Sequence, residues 1–435
     1  MFLTDIQIAG RNLTRHTRRN LFLGGAIAAV TGLLVLLGSL TAGMEGAMME
    51  SALTLLTGHV NVGGFFKVTS GSAAPLISDY PRLAAIVKEQ VPELDYYTVR
   101  GRGWAKAVSE SSSMDLVLAG VEIEHEAAFR KTVRIREGRL DDLAQPGTLL
   151  LFEGQADRLK VKVGDAVTIS APTARGVNNT ADLRVVVIAK NVGLLSSFSA
   201  FVPASVLRQL YGLKADTTGA IHLYLSSPAA AVAVAARLRT AIAAAGLRVM
   251  EPDPQPYWMK MAYKVPSEDW TGQKVDVTTA DDEMGQFKQF ILALKAVATV
   301  LVVVLMIVVV IGILNTLAIA IRERTREIGT LRAIGMQRGK VLWLFVLETA
   351  LLGLSGTVAG ALLGSAVAGL VNVAAVQLPE AVQVFLAQEK LHFLLQPGTI
   401  LADVLVLSSI TVLASLYPAW LAAKLKPITA MHQIG

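Results

Sequence analysis

Charged residues crowd one short segment between two long apolar runs, and this segment is the strongest candidate for a functional surface. It runs from Asn315 to Glu348 and reads NTLAIAIRERTREIGTLRAIGMQRGKVLWLFVLE. Its apolar side chains recur at helical spacing, at Ile321, Ile328, Leu331 and Ile334. A simple connector needs neither a helix nor an apolar stripe, so the pattern indicates docking of a partner. The alternative is a basic loop that only orients the chain in a membrane.

The sequence offers little support for catalysis. It has no G-x-x-x-x-G-K-[ST], G-x-S-x-G or H-E-x-x-H motif, and Gly335 to Lys340 fails the spacing of the first. It has no cysteine, which excludes disulfides and thiolate chemistry. One acidic cluster comprises Glu122, Glu124, His125 and Glu126. It could be imagined as a metal site, although a solvated helix start is the favoured interpretation. We therefore expect no enzyme activity, metal or cofactor in this chain.

Composition indicates a membrane protein. Hydrophobic residues make up 53% of the 435 residues and charged residues only 17%. The formal charge of +6 is concentrated beside the apolar runs. That distribution orients a membrane protein and does not favour nucleic-acid binding.

Four apolar runs have the length of membrane spans. The arginine and lysine clusters lie at the start of the chain, between the second and third runs and at the end, which places these parts inside and a large domain outside. The predicted order is an amphipathic helix on the inner membrane face (1–20), a first span and stalk (21–58), an outer domain (59–280), a stalk and second span (281–321), a charged cytoplasmic segment (322–340), a third span (341–375), an outer loop (376–396), a fourth span (397–423) and a cytoplasmic tail (424–435).

Three features of the spans are candidate sites. Gly356, Gly360 and Gly364 recur every four residues and predict close helix packing. Glu348 is an intramembrane carboxylate, which is either functional or bonded to a neighbouring helix. The stalk carries three methionines that could face an apolar cargo or simply pack against another helix: Met44, Met48 and Met49.

The sequence of residues 59–280 predicts an α+β domain that is split into two lobes. Alternating or continuous apolar runs predict strands at His59–Val62, Tyr96–Val108, Leu116–Ala119, Thr148–Phe152, Ala166–Ser170 and Leu183–Lys190. Helices are expected at Pro81–Gln90 and Ala229–Ala245, followed by a returning strand at Leu247–Met250. Prolines and aromatics in residues 252–279 suggest an inserted loop or arm that contacts a partner or caps the domain.

The run RERTREIGTLRAIG, residues 322–335, resembles the FtsX/MacB-like permease family of ABC transporters. Further matches are Tyr417-Pro418-Ala419 and the segment from Lys424 to Pro427, with weaker ones at Gly138-Arg139, Glu153–Ile169 and Val202-Pro203. In that family the helix of this segment presses into a cleft of the cytoplasmic ATPase. The resemblance therefore implies ATPase contacts at Glu323, Arg324, Glu327, Arg332, Ile334, Gly335 and Met336.

The resemblance also implies partners and a function. It implies two copies of a separate ABC ATPase, which bind ATP and Mg, and a second permease chain, identical or related. The arrangement is similar to the lipoprotein-releasing LolC/LolE-type permeases of the bacterial inner membrane, which implies extrusion of an apolar or lipidated cargo such as a lipoprotein, with a periplasmic carrier or adaptor as a further partner. Two alternatives are a signalling permease that activates a periplasmic partner such as a cell-wall hydrolase, and an adhesion or sensor module without an ATPase.

Overall fold

A computed structural model describes residues 7–11, 17–69, 72–173, 177–192, 194–379, 382 and 390–424. The chain divides into two compact units. A helical unit comprises Met1–Gly43, Ile291–Val376 and Leu391–Gly435, and a sheet unit comprises Met44–Phe290 and Gln377–Lys390. The predicted cytoplasmic tail lies largely outside the described residues, and the predicted amphipathic helix and outer loop lie partly outside them, although residues 7–11 are helical.

Helices and strands are mixed along the described chain as far as β11, and the elements after β11 are helices. The helices are α1 (Thr17–Leu55), α2 (Tyr80–Gln90), α3 (Ala127–Thr132), α4 (Glu153–Leu159), α5 (Ala204–Tyr211), α6 (Ala231–Ala244), α7 (Tyr257–Met259), α8 (Ala280–Glu283), α9 (Gly285–Glu323), α10 (Thr325–Ala333), α11 (Arg338–Ala374) and α12 (Pro397–Ala423). The strands are β1 (Val60–Thr69), β2 (Ser72–Ala74), β3 (Leu94–Val108), β4 (Ser113–Val121), β5 (Ile135–Gly138), β6 (Thr148–Phe152), β7 (Ala166–Pro172), β8 (Asn178–Ala189), β9 (Ser199–Pro203), β10 (Ala220–Leu225) and β11 (Gly272–Thr279).

Four of the described helices are long and apolar enough to cross a bilayer. The apolar stretches are Asn20–Leu55 in α1, Lys288–Glu323 in α9, Arg338–Ala374 in α11 and Pro397–Ala423 in α12. Each has at least the roughly 20 residues that a bilayer core requires. The chain is therefore a multi-pass membrane protein, as the composition indicated.

One apolar cluster joins all four long helices of the helical unit. It includes Leu23 of α1, Ile313 of α9, Phe345 of α11 and Ala419 of α12. Ile328 of the short helix α10 inserts into the same cluster. The short helix of the charged segment therefore packs directly against the long helices.

The sheet unit is built on an 11-stranded mixed sheet with two cores. Along the main path the strand order is β11-β1-β10-β3-β4-β9-β6-β8-β5. A first lobe packs α2 and α6 on β1, β10 and β11. A second lobe packs α4 and α5 on β4 and β6–β9. The long strand β3 belongs to both lobes, because its first half pairs with β10 and its second half with β4.

Two sequence predictions in this unit were wrong. Leu247–Met250 is not a strand, because Val249 makes a single bridge to Val275. Residues 272–279, predicted as part of a loop, form β11, which pairs with β1 over eight residues. The rest of that segment folds back on the sheet through a small apolar core that contains Tyr257, Val265 and Trp270, so it caps the domain.

Candidate functional site

A backbone break sets the charged segment apart from the spans on either side. Helix α9 ends at Glu323, and Arg324 leaves the helical conformation before α10 begins at Thr325. After α10 the chain turns sharply at Gly335, whose φ of +106° is a conformation that favours glycine. Helix α11 then starts at Arg338. The segment is therefore a short helix held between two turns.

Helix α10 has one buried and one exposed face. Ile328 is 4% exposed in the apolar cluster, which fixes the orientation of the helix. Ile334, at the end of the helix, is 79% exposed, and Glu323 and Glu327 are exposed as well. Exposed acidic and apolar side chains thus occur along this short segment, from the end of α9 to the residue after α10, and such a surface is suited to binding another protein.

Arg324 points into the helical unit. Its Nη1 donates to Oε2 of Glu348 at 3.1 Å, and both side chains are nearly buried. This pair joins the start of α10 to α11. The structure thus gives Glu348 a bond to a neighbouring segment, and it places Arg324 away from the surface predicted to contact an ATPase.

A cavity of about 170 Å³ lies beside this ion pair. It mixes charged groups with apolar walls, and it is lined by Ile8, Arg324, Glu327, Ile328, Met336, Val341, Leu344, Phe345 and Glu348. Four residues singled out in the sequence come together here: Arg324, Glu327, Met336 and Glu348. Glu323, Ile334 and Gly335 do not line it, and Arg332 is half-buried outside it.

The glycine stripe of α11 faces α1. A Cβ atom built on Gly356 would lie 3.0 Å from the carbonyl oxygen of Gly24, and one on Gly364 would lie 2.8 Å from that of Gly32. Between them, Gly360 abuts the carbonyl oxygen of Ala28. The partner face on α1 was not predicted, although Gly24, Ala28 and Gly32 repeat with the same four-residue spacing. Small residues on both helices permit this close backbone approach.

The stalk methionines are mostly packed inside the protein. Met44 is 2% exposed and Met48 is 5% exposed, whereas Met49 is half-buried. The structure therefore favours helix packing over a cargo-binding face for the first two.

The imagined acidic cluster separates in the structure. Glu126 is buried and accepts two hydrogen bonds from Arg100, from Nε to Oε1 and from Nη2 to Oε2, both at 2.6 Å. His125 lies near Glu122 at the surface. These side chains stabilise the domain locally.

Residues 299–427 match the family model described as FtsX-like permease C-terminal, which covers α10 and its flanking spans. This part of the chain is therefore similar to FtsX/MacB-like ABC permeases. Over 122 residues it is 33% identical to the macrolide export ATP-binding/permease protein MacB of Syntrophobacter fumaroxidans, which covers 28% of this chain and 15% of that protein. Over 167 residues it is 28% identical to the ABC transporter permease YtrF of Bacillus subtilis, which covers 38% of each protein. These alignments thus span much less than two thirds of either relative.

Solved structures that align with this chain include the periplasmic region of MacB from Actinobacillus actinomycetemcomitans. It aligns at 12% sequence identity with a TM-score of 0.31, and it covers 55% of this chain and 95% of that chain.

Proposed function

We propose that this permease transmits the ATP-driven motion of a separate ATPase to a large periplasmic domain inserted between its first and second spans. In this proposal, two ATPase subunits bind ATP and Mg and draw together, and two permease chains respond. The moving domain extrudes or releases an apolar or lipidated cargo such as a lipoprotein at the outer face of the bacterial inner membrane.

The arrangement of α10 carries this proposal. Ile334 is exposed for contact with a partner, while Ile328 is locked among all four long helices. A force applied to α10 therefore reaches the spans without passing through a flexible linker. Close-packed interiors transmit such displacements because they resist compression.

The cargo class rests on the resemblance to lipoprotein-releasing permeases. The burial of Met44 and Met48 removes the stalk face that the sequence offered for cargo. A mild-detergent pull-down from the native membrane with mass spectrometry tests the cargo. An ATPase with lipoproteins or a periplasmic carrier supports extrusion, whereas an ATPase with a peptidoglycan hydrolase replaces it with signalling.

Charge reversal on α10 tests the docking step. The double variant Glu327→Arg/Arg332→Glu is expected to lose ATPase co-purification and coupled ATP hydrolysis, because it reverses two charges of the segment that is proposed to contact the ATPase. Ile334→Asp gives a second test without disturbing a buried group. Val232→Asp is the matched control, because Val232 is 70% exposed on α6, far along the chain from α10. Normal coupling in both α10 variants would refute docking at this helix.

A further inference from the structure

The sheet unit brings the ends of two long helices to the same end of one strand ladder. Strand β1 starts at Val60, shortly after α1 ends, and β11 ends at Thr279, shortly before α9 starts. The two strands are antiparallel, and Val60 lies opposite Thr279. The backbone N–H of Ala280 donates to the carbonyl oxygen of His59 at 3.1 Å and extends this ladder toward the helices.

Tyr224 of β10 binds the last turn of α1. Its hydroxyl donates to the carbonyl oxygen of Leu53 at 2.9 Å. The last carbonyls of a helix have no partner within the helix, so this bond satisfies a group that burial would otherwise penalise. The ring stacks on Tyr96 with 4.4 Å between centroids, which fixes the position of the hydroxyl.

Glu283 performs the equivalent task at the entry to α9. Its side chain is buried, and Oε1 accepts a hydrogen bond from Thr278 Oγ1 at 2.8 Å. Oε2 accepts from the backbone N–H of Tyr257 at 3.1 Å. One carboxylate thus ties the end of α8 both to β11 and to the capping segment.

Arg102 of β3 connects the two regions across the sheet. Its Nη2 lies 3.4 Å from Nε2 of His222, two residues before Tyr224 on β10. Its guanidinium lies 4.3 Å from the centroid of the Tyr257 ring. Cation–π contacts of this kind stabilise most where water is excluded, and Arg102 is 7% exposed.

We infer that Tyr224 and Glu283 are positioning residues, which hold the ends of α1 and α9 on the β1–β11 ladder so that both ends move with the first lobe as one body. The inference deepens the proposed function, since it names the residues through which helix motion enters the outer domain. It rests on that function for the source of the motion, while the geometry is measurable without an ATPase.

A distance measurement between spin labels tests the inference directly. The natural chain has no cysteine, so Glu50→Cys and Gln289→Cys introduce the two labelling sites alone, both exposed and both in the sheet unit. We expect one narrow distance population in the full-length permease without nucleotide. The double variant Tyr224→Phe/Glu283→Gln should broaden this distance distribution into several populations. It removes the hydrogen bond from Tyr224 to Leu53 and weakens the hydrogen bonds of Glu283, while the side-chain shapes are kept.

Matched controls separate positioning from general damage. Tyr96→Phe removes a hydroxyl from the same ring stack, and Glu251→Gln changes an exposed carboxylate elsewhere in the sheet unit, so both should keep the narrow population. Near-ultraviolet circular dichroism checks that each variant is folded. Since either bond can be removed singly, Tyr224→Phe alone provides a milder test should the double variant fail to fold.

The outcomes are distinct. A broad distribution in the parent protein, or a narrow one in the folded double variant and in both single variants, would overturn the inference. Reconstitution with the ATPase provides a separate readout. Nucleotide should leave the narrow label distance of the parent unchanged, because both helix ends move as one body, whereas the double variant should bind the ATPase normally but show a nucleotide-dependent change in label distance. Failure of the parent to bind any ATPase would refute the proposed function and leave the distance result standing.

Discussion

Arg324 was predicted from sequence to contact an ATPase, and in the structure it bonds to the neighbouring helix α11. Its bond to Glu348 lies inside the helical unit, with both side chains nearly buried. Removing either partner leaves the other charge poorly compensated, so Arg324→Ala and Glu348→Ala should each destabilise the protein. Because the pair acts as a unit, the double variant should lose less than the sum, with a coupling energy of about 0.5–3 kcal/mol.

Thermal unfolding of the four purified proteins in detergent completes this double-mutant cycle. ATPase binding is measured on the same preparations. Additive destabilisation would show that the two side chains do not act together. A specific loss of ATPase affinity in Arg324→Ala, without any loss in Glu348→Ala, would return Arg324 to the docking surface.

His222 gives the sheet unit a pH-dependent stability. Burial lowers the pKa of His222 well below its ordinary value of 6.5, and the nearby charges of Arg102 and Arg100 lower it further. Below about pH 6.5 the unfolded chain therefore binds a proton at this imidazole that the folded chain does not bind. The stabilisation is complete above that pH and is lost as pH falls, with a slope of at most about 1.4 kcal/mol per pH unit.

Denaturant unfolding of the parent and of His222→Gln between pH 5 and pH 8 measures this slope. Burial raises the pKa of the Glu283 carboxyl, which acts in the opposite sense at the acidic end of the range. The comparison cancels this contribution because both proteins keep Glu283. Equal slopes for the two proteins would contradict the assignment to His222.

The contact between α1 and α11 depends on the absence of side chains at its centre. Gly360→Ala places a methyl group against the carbonyl oxygen of Ala28, so the helices must separate, and overpacking of this kind costs about 1–3 kcal/mol. Gly369→Ala on the same helix is the matched control, because no described atom lies within 4 Å of the added carbon. Thermal unfolding in the same detergent should rank the parent and Gly369→Ala above Gly360→Ala, and equal midpoints would show that the interface relaxes at no cost.

Elements with a simple burial pattern were predictable from sequence. Strand β6, at Thr148–Phe152, has the bounds that its continuous apolar run predicts, since it is buried on both faces. Strand β11 was missed because prolines and aromatics in the segment before it indicated a loop. It also buries Asp276, whose Oδ2 accepts a hydrogen bond from Lys260 at 2.9 Å. Leu247–Met250 was overpredicted, since a suitable apolar run forms only one bridge there.

The burial of charged residues could not be predicted from local pattern. Arg100 and Glu126 lie 26 residues apart in the chain, and both are buried because they form an ion pair with each other. Lys67 is equally buried because its ammonium group donates to the carbonyl oxygens of Val265 and Glu268, about 200 residues away. Sequence position alone assigns such residues to the surface, and the tertiary fold decides otherwise. For the same reason the charged segment was recognisable from its sequence as helical, whereas the inward direction of Arg324 was not.

At the scale of the whole molecule, each long helix at the junction is continuous across the boundary between the two units. That boundary falls at Gly43 and Met44 within α1 and at Phe290 and Ile291 within α9. Displacing an unbroken helix requires no folding or unfolding of a linker, in contrast to a domain joined by flexible loops. Continuous helices therefore join the two units along the chain, and the side of the membrane that each unit faces can be tested by labelling.

Thiol labelling determines those sides, again because the natural chain has no cysteine. Val232→Cys should react with a membrane-impermeant maleimide in cells whose outer membrane alone has been permeabilised, since Val232 is 70% exposed in the proposed periplasmic domain. Ile334→Cys should react only after the inner membrane is opened, since its segment carries the arginines that hold a loop inside. Both must react after solubilisation in detergent, which controls for shielding by a bound ATPase. Reaction of Ile334→Cys in cells with an intact inner membrane would invert the topology, and α10 could then not meet a cytoplasmic ATPase.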